Sequence, residues 1–474
     1  MPITFGTDGW RGVIADDFTF ENVENVALAS ARFFKRQPNI KNGIVVGYDA
    51  RFLSKEFAIR TAEVVASEGI FVHLAPSIVT TPMVSFGIKK LRAAGGVVIT
   101  ASHNTAEYNG FKLKGYFGGP AHPEMVAKVE RELASIFRNR RKAKRRSLSE
   151  LIEKRIVRYE NLGKLYLNEI KRKINLDLIE QAGLKIAYDA MHGAGQGVME
   201  LLLPEVKLLR NSYNPSFGGI HPEPLPQNLV ELSQTIRDEK YDLGIATDGD
   251  ADRVGAIDEN GTFVDPHRVF GILIKYLVEV KGWKGELAKS FSVSDMIDQM
   301  AAKYRLKLHT TPIGFKYLCR LMIERNILIA AEESGGIGLR GHIPERDGIY
   351  VGLLLAEIMA VRKKKLSELV QELFDEFGPR YYDRIDVHVT EKEKQAILKR
   401  FSKKPSVIGG MNVRDIQTLD GHKFFFDPPG SGWLLVRASG TEPLVRFYAE
   451  ASTPELVKSL LKDATEGVAS NLST

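Results

Sequence analysis

The stretch Gly95-Gly96-Val97-Val98-Ile99-Thr100-Ala101-Ser102-His103-Asn104 decides how the chain is read. Residues 97–99 are a short apolar run with two glycines before it and a polar turn after it, a pattern that predicts a buried strand. The turn lifts Ser102 clear of the strand end. Tyr108-Asn109-Gly110-Phe111-Lys112 then places a lysine ten positions beyond the serine. The same order, an apolar strand running into a turn rich in Gly and Asp, recurs. It stands at 44–46 before Gly47-Tyr48-Asp49-Ala50-Arg51, at 185–188 before Asp189-Ala190-Met191-His192-Gly193, and at 243–246 before Thr247-Asp248-Gly249-Asp250-Ala251-Asp252-Arg253. Helical patterns are expected after the first two of these, and a further strand, 254–257, after the last. Helical patterns lie at 21–36, 56–67, 123–137, 159–173, 229–238, 269–280, 294–304 and 349–361. Strands alternating with helices predict similar α/β units with parallel or mixed sheets. Past Phe377-Gly378-Pro379 the character changes. A strand at 382–389, a helix at 391–401 and strands at 433–436 and 445–449 predict a smaller α+β domain. Domain limits are expected at 1–150, 151–253, 254–377 and 378–474.

The chain has 474 residues, too many for one core, with 44% hydrophobic and 26% charged residues, as in ordinary globular proteins. No apolar run reaches the roughly 20 residues that span a bilayer. The start, Met1-Pro2-Ile3-Thr4-Phe5-Gly6, lacks a basic segment followed by an apolar one, so a cytoplasmic location is expected. The single cysteine, Cys319, excludes an internal disulfide and a cysteine-based zinc site. Much of the net charge of +7 sits in the run 138–146, which lacks interleaved aromatics and reads as a solvated surface segment. Neither nucleic acid nor membrane is expected as a partner. A small phosphorylated ligand is.

Asp248, Asp250 and Asp252 alternate, and on an extended backbone a period of two puts their carboxylates on one side. Three like charges so close repel unless a cation sits among them, and all-oxygen ligands select Mg²⁺, Mn²⁺ or Ca²⁺. An EF-hand is excluded: Arg253 stands where that loop requires glycine, and a strand precedes it where a helix belongs. Ser102 is not a hydrolase nucleophile, for there is no Gly-x-Ser-x-Gly elbow and His103 is its direct neighbour. Thr7-Asp8-Gly9-Trp10-Arg11-Gly12 makes a tight loop that presents Arg11 to an anion. Arg437-Ala438-Ser439-Gly440-Thr441 offers a guanidinium, two hydroxyls and a flexible backbone N–H, the composition of a phosphate cradle. Glu332 and Ser334 can hydrogen-bond sugar hydroxyls. Together these parts fit phosphoryl transfer: a metal held by three aspartates beside a phosphate on Ser102, with Arg11, Lys112 and Arg253 offsetting charge.

Six motifs in this order resemble the α-D-phosphohexomutase family over essentially the full length: Thr7–Gly12 (TDGWRG), Thr100–Asn104 (TASHN), Tyr108–Lys112 (YNGFK), Thr247–Arg253 (TDGDADR), Glu332–Gly336 (EESGG) and Arg437–Pro443 (RASGTEP). The resemblance implies four domains around a central cleft, three alike and α/β, the last smaller. It implies an isomerase that interconverts hexose 1-phosphate and hexose 6-phosphate through a phosphoserine and a hexose 1,6-bisphosphate, which also serves as activator. Ser102 is the implied phosphoserine, with Asp248, Asp250, Asp252 and its phosphate on Mg²⁺. Lys112, Arg253 and Arg11 are implied at the reacting phosphoryl group, and Arg437, Ser439, Gly440 and Thr441 on the other phosphate. The general base is His103 or Lys112. Thr311–Lys316 (TPIGFK), with Gly314 and Lys316, and His342-Ile343-Pro344-Glu345-Arg346, with His342 and Arg346, look like the phosphoglucomutase pattern of substrate contacts. The mannose/glucose and glucosamine branches usually carry histidine where this chain has Gly336, and the family usually has proline where it has Thr105. Glucose is the expected sugar, with mannose beside it. A phosphoglucosamine mutase and a hexose-bisphosphate synthase or phosphatase are the alternatives on this scaffold. A monomer or homodimer is expected.

Overall fold

The computed structural model describes residues 3–439 and 444–466. Its first three sheets share one construction. The first runs in the order Trp10–Val13, Tyr108–Gly115, Gly95–Ile99, Ile44–Tyr48, Val72–Leu74, Val157–Tyr159. Its last four strands are parallel, and Gly95–Ile99 turns back into antiparallel Tyr108–Gly115. The second has the order Phe263–Val264, Val254–Asp258, Leu243–Thr247, Ile186–Asp189, Lys207–Leu209. Leu243–Thr247 is parallel to Ile186–Asp189 and antiparallel to Val254–Asp258. The third has the order Lys307–Thr311, Glu286–Ser290, Ile327–Ala331, Ile337–Leu339, and Ile327–Ala331 is again the parallel strand that turns back.

Each of these three turning strands is buried at every position. Continuous apolar runs of this kind suit strands covered on both faces. Polar side chains are thereby pushed past the strand end, into the turn. The three turns, at residues 100–107, 248–253 and 332–336, are therefore equivalent places in three similar units. The third unit's helix Gly348–Arg362 is buried along nearly its whole length, with Asp347 capping its start by accepting from Tyr350 N. A helix apolar all round belongs in a protein's interior, and this one packs on Leu243–Thr247 and Val254–Asp258 of the second unit.

The fourth sheet is antiparallel throughout: Tyr381–His388, Leu444–Ala451, Gly432–Ala438, His422–Phe426, Met411–Gln417, Val407–Ile408. One face packs under the helices Glu391–Ser402 and Pro454–Thr465. The other carries Trp433, Leu435 and Tyr448 onto Phe291 of the third unit. At this joint Lys423 Nζ donates to Phe291 O at 2.9 Å and lies 3.8 Å from the Trp433 ring centre.

His267 is buried in the same joint. Its Nδ1 accepts from Ser294 N at 3.2 Å, and its ring lies 4.4 Å from that of Tyr382. Burial pushes the imidazole down to about 4. The folded protein thus keeps His267 neutral while the unfolded chain protonates it near 6.5. Stability is lost as the pH falls from about 6.5 toward 4, by about 2 kcal/mol at pH 5. Urea unfolding at pH 7 and pH 5 should show the loss, and His267→Asn should reduce it. An equal loss in the variant would contradict this assignment.

Four units, three of them alike and the last antiparallel, agree with the sequence reading, but two limits move. Val157–Tyr159 pairs with Val72–Leu74, so the first unit continues past residue 150. Only one of its three residues is buried, which leaves no apolar signal. A limit at 253 would cut the hairpin in which Val254 faces Thr247, and the second sheet runs on to Val264. The strand expected at 254–257 is present as Val254–Asp258, antiparallel to Leu243–Thr247. No helix among the described residues is long and apolar enough to cross a membrane.

Candidate active site

The three equivalent turns converge. Val254 N donates to Gly335 O at 3.1 Å, Gly348 N to Ala251 O at 3.1 Å, and Thr81 N to Asp250 O at 3.0 Å. Ser102 has φ 54°, a left-handed backbone that a residue other than glycine adopts only when its surroundings demand it. A Cβ at Gly249 would lie 2.2 Å from Ser102 O, so glycine is what lets the aspartate turn approach the serine turn.

Ser102 is fully buried, and its hydroxyl donates to Asp248 Oδ2 at 2.8 Å. Asp248, Asp250 and Asp252 are also fully buried, and one oxygen from each lies within 4.8 Å of the others. They are not brought together by an extended backbone, as their alternation suggested. The chain curls: Ala251 has φ 58°, and Asp248 Oδ1 accepts from both Asp252 N and Arg253 N at 3.0 Å.

The charges at this cluster do not balance. Burial pushes Asp248 well above the usual carboxylate range, and the neighbouring Asp250 and Asp252 push it further. Burial alone would raise Asp250 too, but Lys112 and a hydrogen bond from Thr81 hold it below that range. Asp250 Oδ1 and Asp252 Oδ1 are buried with no hydrogen-bond partner. Three carboxylates with two bare inward oxygens fit a hard divalent cation.

Lys112 Nζ contacts Asp250 Oδ2 at 2.7 Å, Asp8 Oδ2 at 2.8 Å and Asp252 Oδ2 at 3.1 Å. Burial would lower its pKa, but these carboxylates raise it well above the ordinary value. Lys112 is therefore held as an ammonium, which removes it as a general base. His103 Nδ1 lies 3.4 Å from Ser102 Oγ, and burial, then Arg253 and Arg11, push this imidazole well below its usual range, so it is neutral. Arg11 Nη1 donates to Asn104 Oδ1. Arg253 Nη1 donates to Glu223 Oε1 at 2.8 Å, and its Nε is 3.9 Å from Asp248 Oδ2.

Arg346 spans the site, with Nη2 2.8 Å from Asp8 Oδ2 and 2.5 Å from Asp252 Oδ2, and Nη1 3.2 Å from Glu332 Oε2. Burial raises Glu332 to about 7. Ser334, half-buried, lies in the same turn. Gly314, at φ 131° against Thr7, precedes the helix that starts at Phe315, and Lys316 lies half-buried with Nζ 5.5 Å from the Tyr317 ring centre. Arg437 Nε donates to Asp420 Oδ1 at 2.9 Å, while Asp420 Oδ2 accepts from Ile313 N at 2.9 Å, tying the fourth unit to this loop. Ser439 is buried, its carbonyl accepting from Lys394 Nζ at 2.9 Å. Gly440 and Thr441 lie outside the described residues.

His342 is a correction. Its side chain is 1% exposed, its Nε2 is 2.8 Å from Asp347 Oδ2, and it packs against Tyr350 and Tyr166. It braces the cap of the Gly348–Arg362 helix instead of facing a ligand. Asp8 was missed in the sequence, although it lies in the same glycine-bounded loop as Arg11. Thr81 and Glu223 were missed too, since neither belongs to a motif of its own.

Four family models match the chain. They are phosphoglucomutase/phosphomannomutase α/β/α domain I at residues 2–140, domain II at 164–261, domain III at 265–377, and the C-terminal domain at 385–467. A phosphoglucomutase/phosphomannomutase of Thermococcus kodakarensis is 32% identical, the match covering 97% of this chain and 96% of that protein. A phosphoglucosamine mutase of Carboxydothermus hydrogenoformans is 31% identical, with 97% of each covered. A crystal structure of a Thermus thermophilus protein assigned as a phosphomannomutase superposes with a TM-score of 0.86 at 34% identity, over 99% of each chain.

Proposed function

Because the chain belongs to the phosphoglucomutase/phosphomannomutase family of α-D-phosphohexomutases, phosphotransferase-type isomerases, we propose that it interconverts hexose 1-phosphate and hexose 6-phosphate through a phosphoserine at Ser102. The observation that carries this reading is the Ser102 hydroxyl hydrogen-bonded to the aspartate cluster at 2.8 Å.

In the forward half, a sugar hydroxyl attacks phosphoserine. The bond from Ser102 Oγ to phosphorus breaks as the bond from sugar oxygen to phosphorus forms, the proton leaving the sugar hydroxyl is matched by one that Ser102 Oγ takes up, and a hexose 1,6-bisphosphate results. The bisphosphate then turns over, and its other phosphoryl group passes back to Ser102 Oγ. In that return step the serine gives up its proton, and two acceptors lie within reach, Asp248 Oδ2 at 2.8 Å and the neutral His103 at 3.4 Å. Mg²⁺ would be held by Asp248, Asp250, Asp252 and the serine phosphate, and would draw charge from the transferring group. Lys112 and Arg253 stand beside that group, with Arg11 at the serine turn. Glu332 and Ser334 receive the sugar hydroxyls. Arg437 and Ser439 hold the phosphate that is not reacting, fixing the sugar's orientation.

Glucose phosphate is the proposed substrate, with mannose phosphate second. A Cβ at Gly336 would lie 2.2 Å from Arg346 Cδ, so a larger residue there would displace the arginine that reaches Glu332. The similarity to a phosphoglucosamine mutase favours a second reading, glucosamine phosphate. Steady-state rates on glucose-, mannose- and glucosamine-1-phosphate, with Mg²⁺ and a trace of bisphosphate, separate them. We expect kcat/KM for glucose 1-phosphate to exceed that for the glucosamine compound by at least about tenfold, the scale of one altered polar contact. A preference for the amino sugar would reverse the assignment.

A further inference from the structure

The Ser102 turn is held from beneath by one side chain that the mechanism above does not use. Arg51 follows the strand Ile44–Tyr48, which lies beside Gly95–Ile99 in the sheet, with Tyr48 opposite Ile99. Its side chain is fully buried. Nη2 donates to Ser102 O at 2.7 Å and Asn104 O at 2.5 Å. Nη1 donates to Thr105 O at 2.7 Å and Tyr108 O at 3.0 Å. Nε faces Asp49 Oδ2 at 3.3 Å, and Asp49 is held in turn by Ser54 Oγ at 2.7 Å. Both terminal nitrogens of the guanidinium thus end on carbonyls around the serine, while Nε stays within ion-pair range of Asp49 without a hydrogen bond.

The same guanidinium also lies 4.8 Å from the ring centre of Phe217, a buried residue of the second unit. Phe217 belongs to the chain segment that leads to Pro222, whose carbonyl accepts from Gly249 N at 3.0 Å in the aspartate turn. One side chain therefore touches the serine turn of the first unit and the support of the aspartate turn of the second. The left-handed backbone at Ser102 is what aims the hydroxyl at Asp248, and four of the carbonyls around it end on Arg51.

We infer that Arg51 is a positioning residue for phosphoryl transfer: it fixes the Ser102 turn in its left-handed form and registers it, through Phe217, against the aspartate cluster. The inference rests on the proposed role of Ser102. A lysine keeps the charge but has a single nitrogen and cannot serve four carbonyls in a fixed fork. Positioning acts on the reacting atom and leaves the grip on the sugar phosphate intact, so its loss is read in kcat and not in KM.

The test uses the full chain with Mg²⁺ and glucose 1,6-bisphosphate. Ser102 phosphorylation is followed by intact mass, and kcat and KM are measured for Arg51→Lys and Phe217→Leu, each scaled to the folded fraction. Arg51→Lys should lose about 100-fold in kcat and in the rate of serine phosphorylation, the scale of a misplacement near 1 Å, with KM within about threefold of wild type. Phe217→Leu should lose about tenfold in the same way. Wild-type kcat in Arg51→Lys, or KM rising while kcat holds, overturns the inference. Should Arg51→Lys fail to fold, Phe217→Leu decides alone, and an unchanged kcat there overturns it. Wild-type protein that never takes phosphate on Ser102 defeats the functional reading itself and this inference with it, whereas normal phosphorylation of Arg51→Lys defeats the inference alone.

Discussion

Ser102→Ala should abolish turnover, lowering kcat by at least about 10⁴-fold, the scale seen when the covalent nucleophile of an enzyme is removed. In the proposed mechanism the hydroxyl accepts and donates the phosphoryl group, so no binding energy elsewhere in the site can replace it. The fold should survive. The backbone at φ 54° is held by hydrogen bonds from the Arg51 guanidinium to surrounding carbonyls, and these do not involve the Ser102 side chain. The substitution removes one buried hydrogen bond, to Asp248, at a cost of about 1–3 kcal/mol. Thermal unfolding should therefore show a folded protein, and KM for the phosphosugar, where measurable, should change little. Turnover above about one per cent of wild type would exclude Ser102 as the carrier.

Removing the divalent metal should have the next largest effect. Chelation should lower kcat by about 10³-fold, since a metal supplies several kcal/mol at the transferring group. Added Mg²⁺ should restore it. Asp250→Asn should lose about 10²–10⁴-fold even in excess Mg²⁺. Its Oδ2 accepts from both Lys112 and Thr81, and an amide cannot accept from both while also giving a charged ligand atom. Calorimetric titration of Mg²⁺ should show weaker binding in the same variant. An enzyme indifferent to chelation, with Asp250→Asn fully active, would exclude the metal site.

Much of the architecture was legible because buried parallel strands are written as continuous apolar runs. Residues 97–99 and 243–246 stand out, and the polar residues past their ends mark the site. The aspartate triplet was legible as a cluster, but for an incomplete reason, since a tight turn and not a strand pleat gathers it. Illegible features share a cause: they depend on partners remote in sequence. Arg346 meets Asp8 from 338 positions away in the sequence, and no local pattern announces the pair. Lys112 reads as a general base as readily as a phosphate contact until Asp8, Asp250 and Asp252 are seen around it. His342 reads as a ligand contact until Asp347 and two tyrosines enclose it. The limit at 150 failed because the short strand Val157–Tyr159 is mostly exposed and takes its place from its neighbour, not from its own residues.

The central claim is that phosphate passes through one buried serine. Incubating the purified protein with Mg²⁺ and hexose 1,6-bisphosphate, then mapping the modified peptide by mass spectrometry, tests it most directly. The account predicts a single phosphoryl group, on Ser102, that is lost when excess hexose 1-phosphate is added and bisphosphate appears. An active enzyme with no phosphate on Ser102, or with phosphate on another residue that turns over at the catalytic rate, would contradict it.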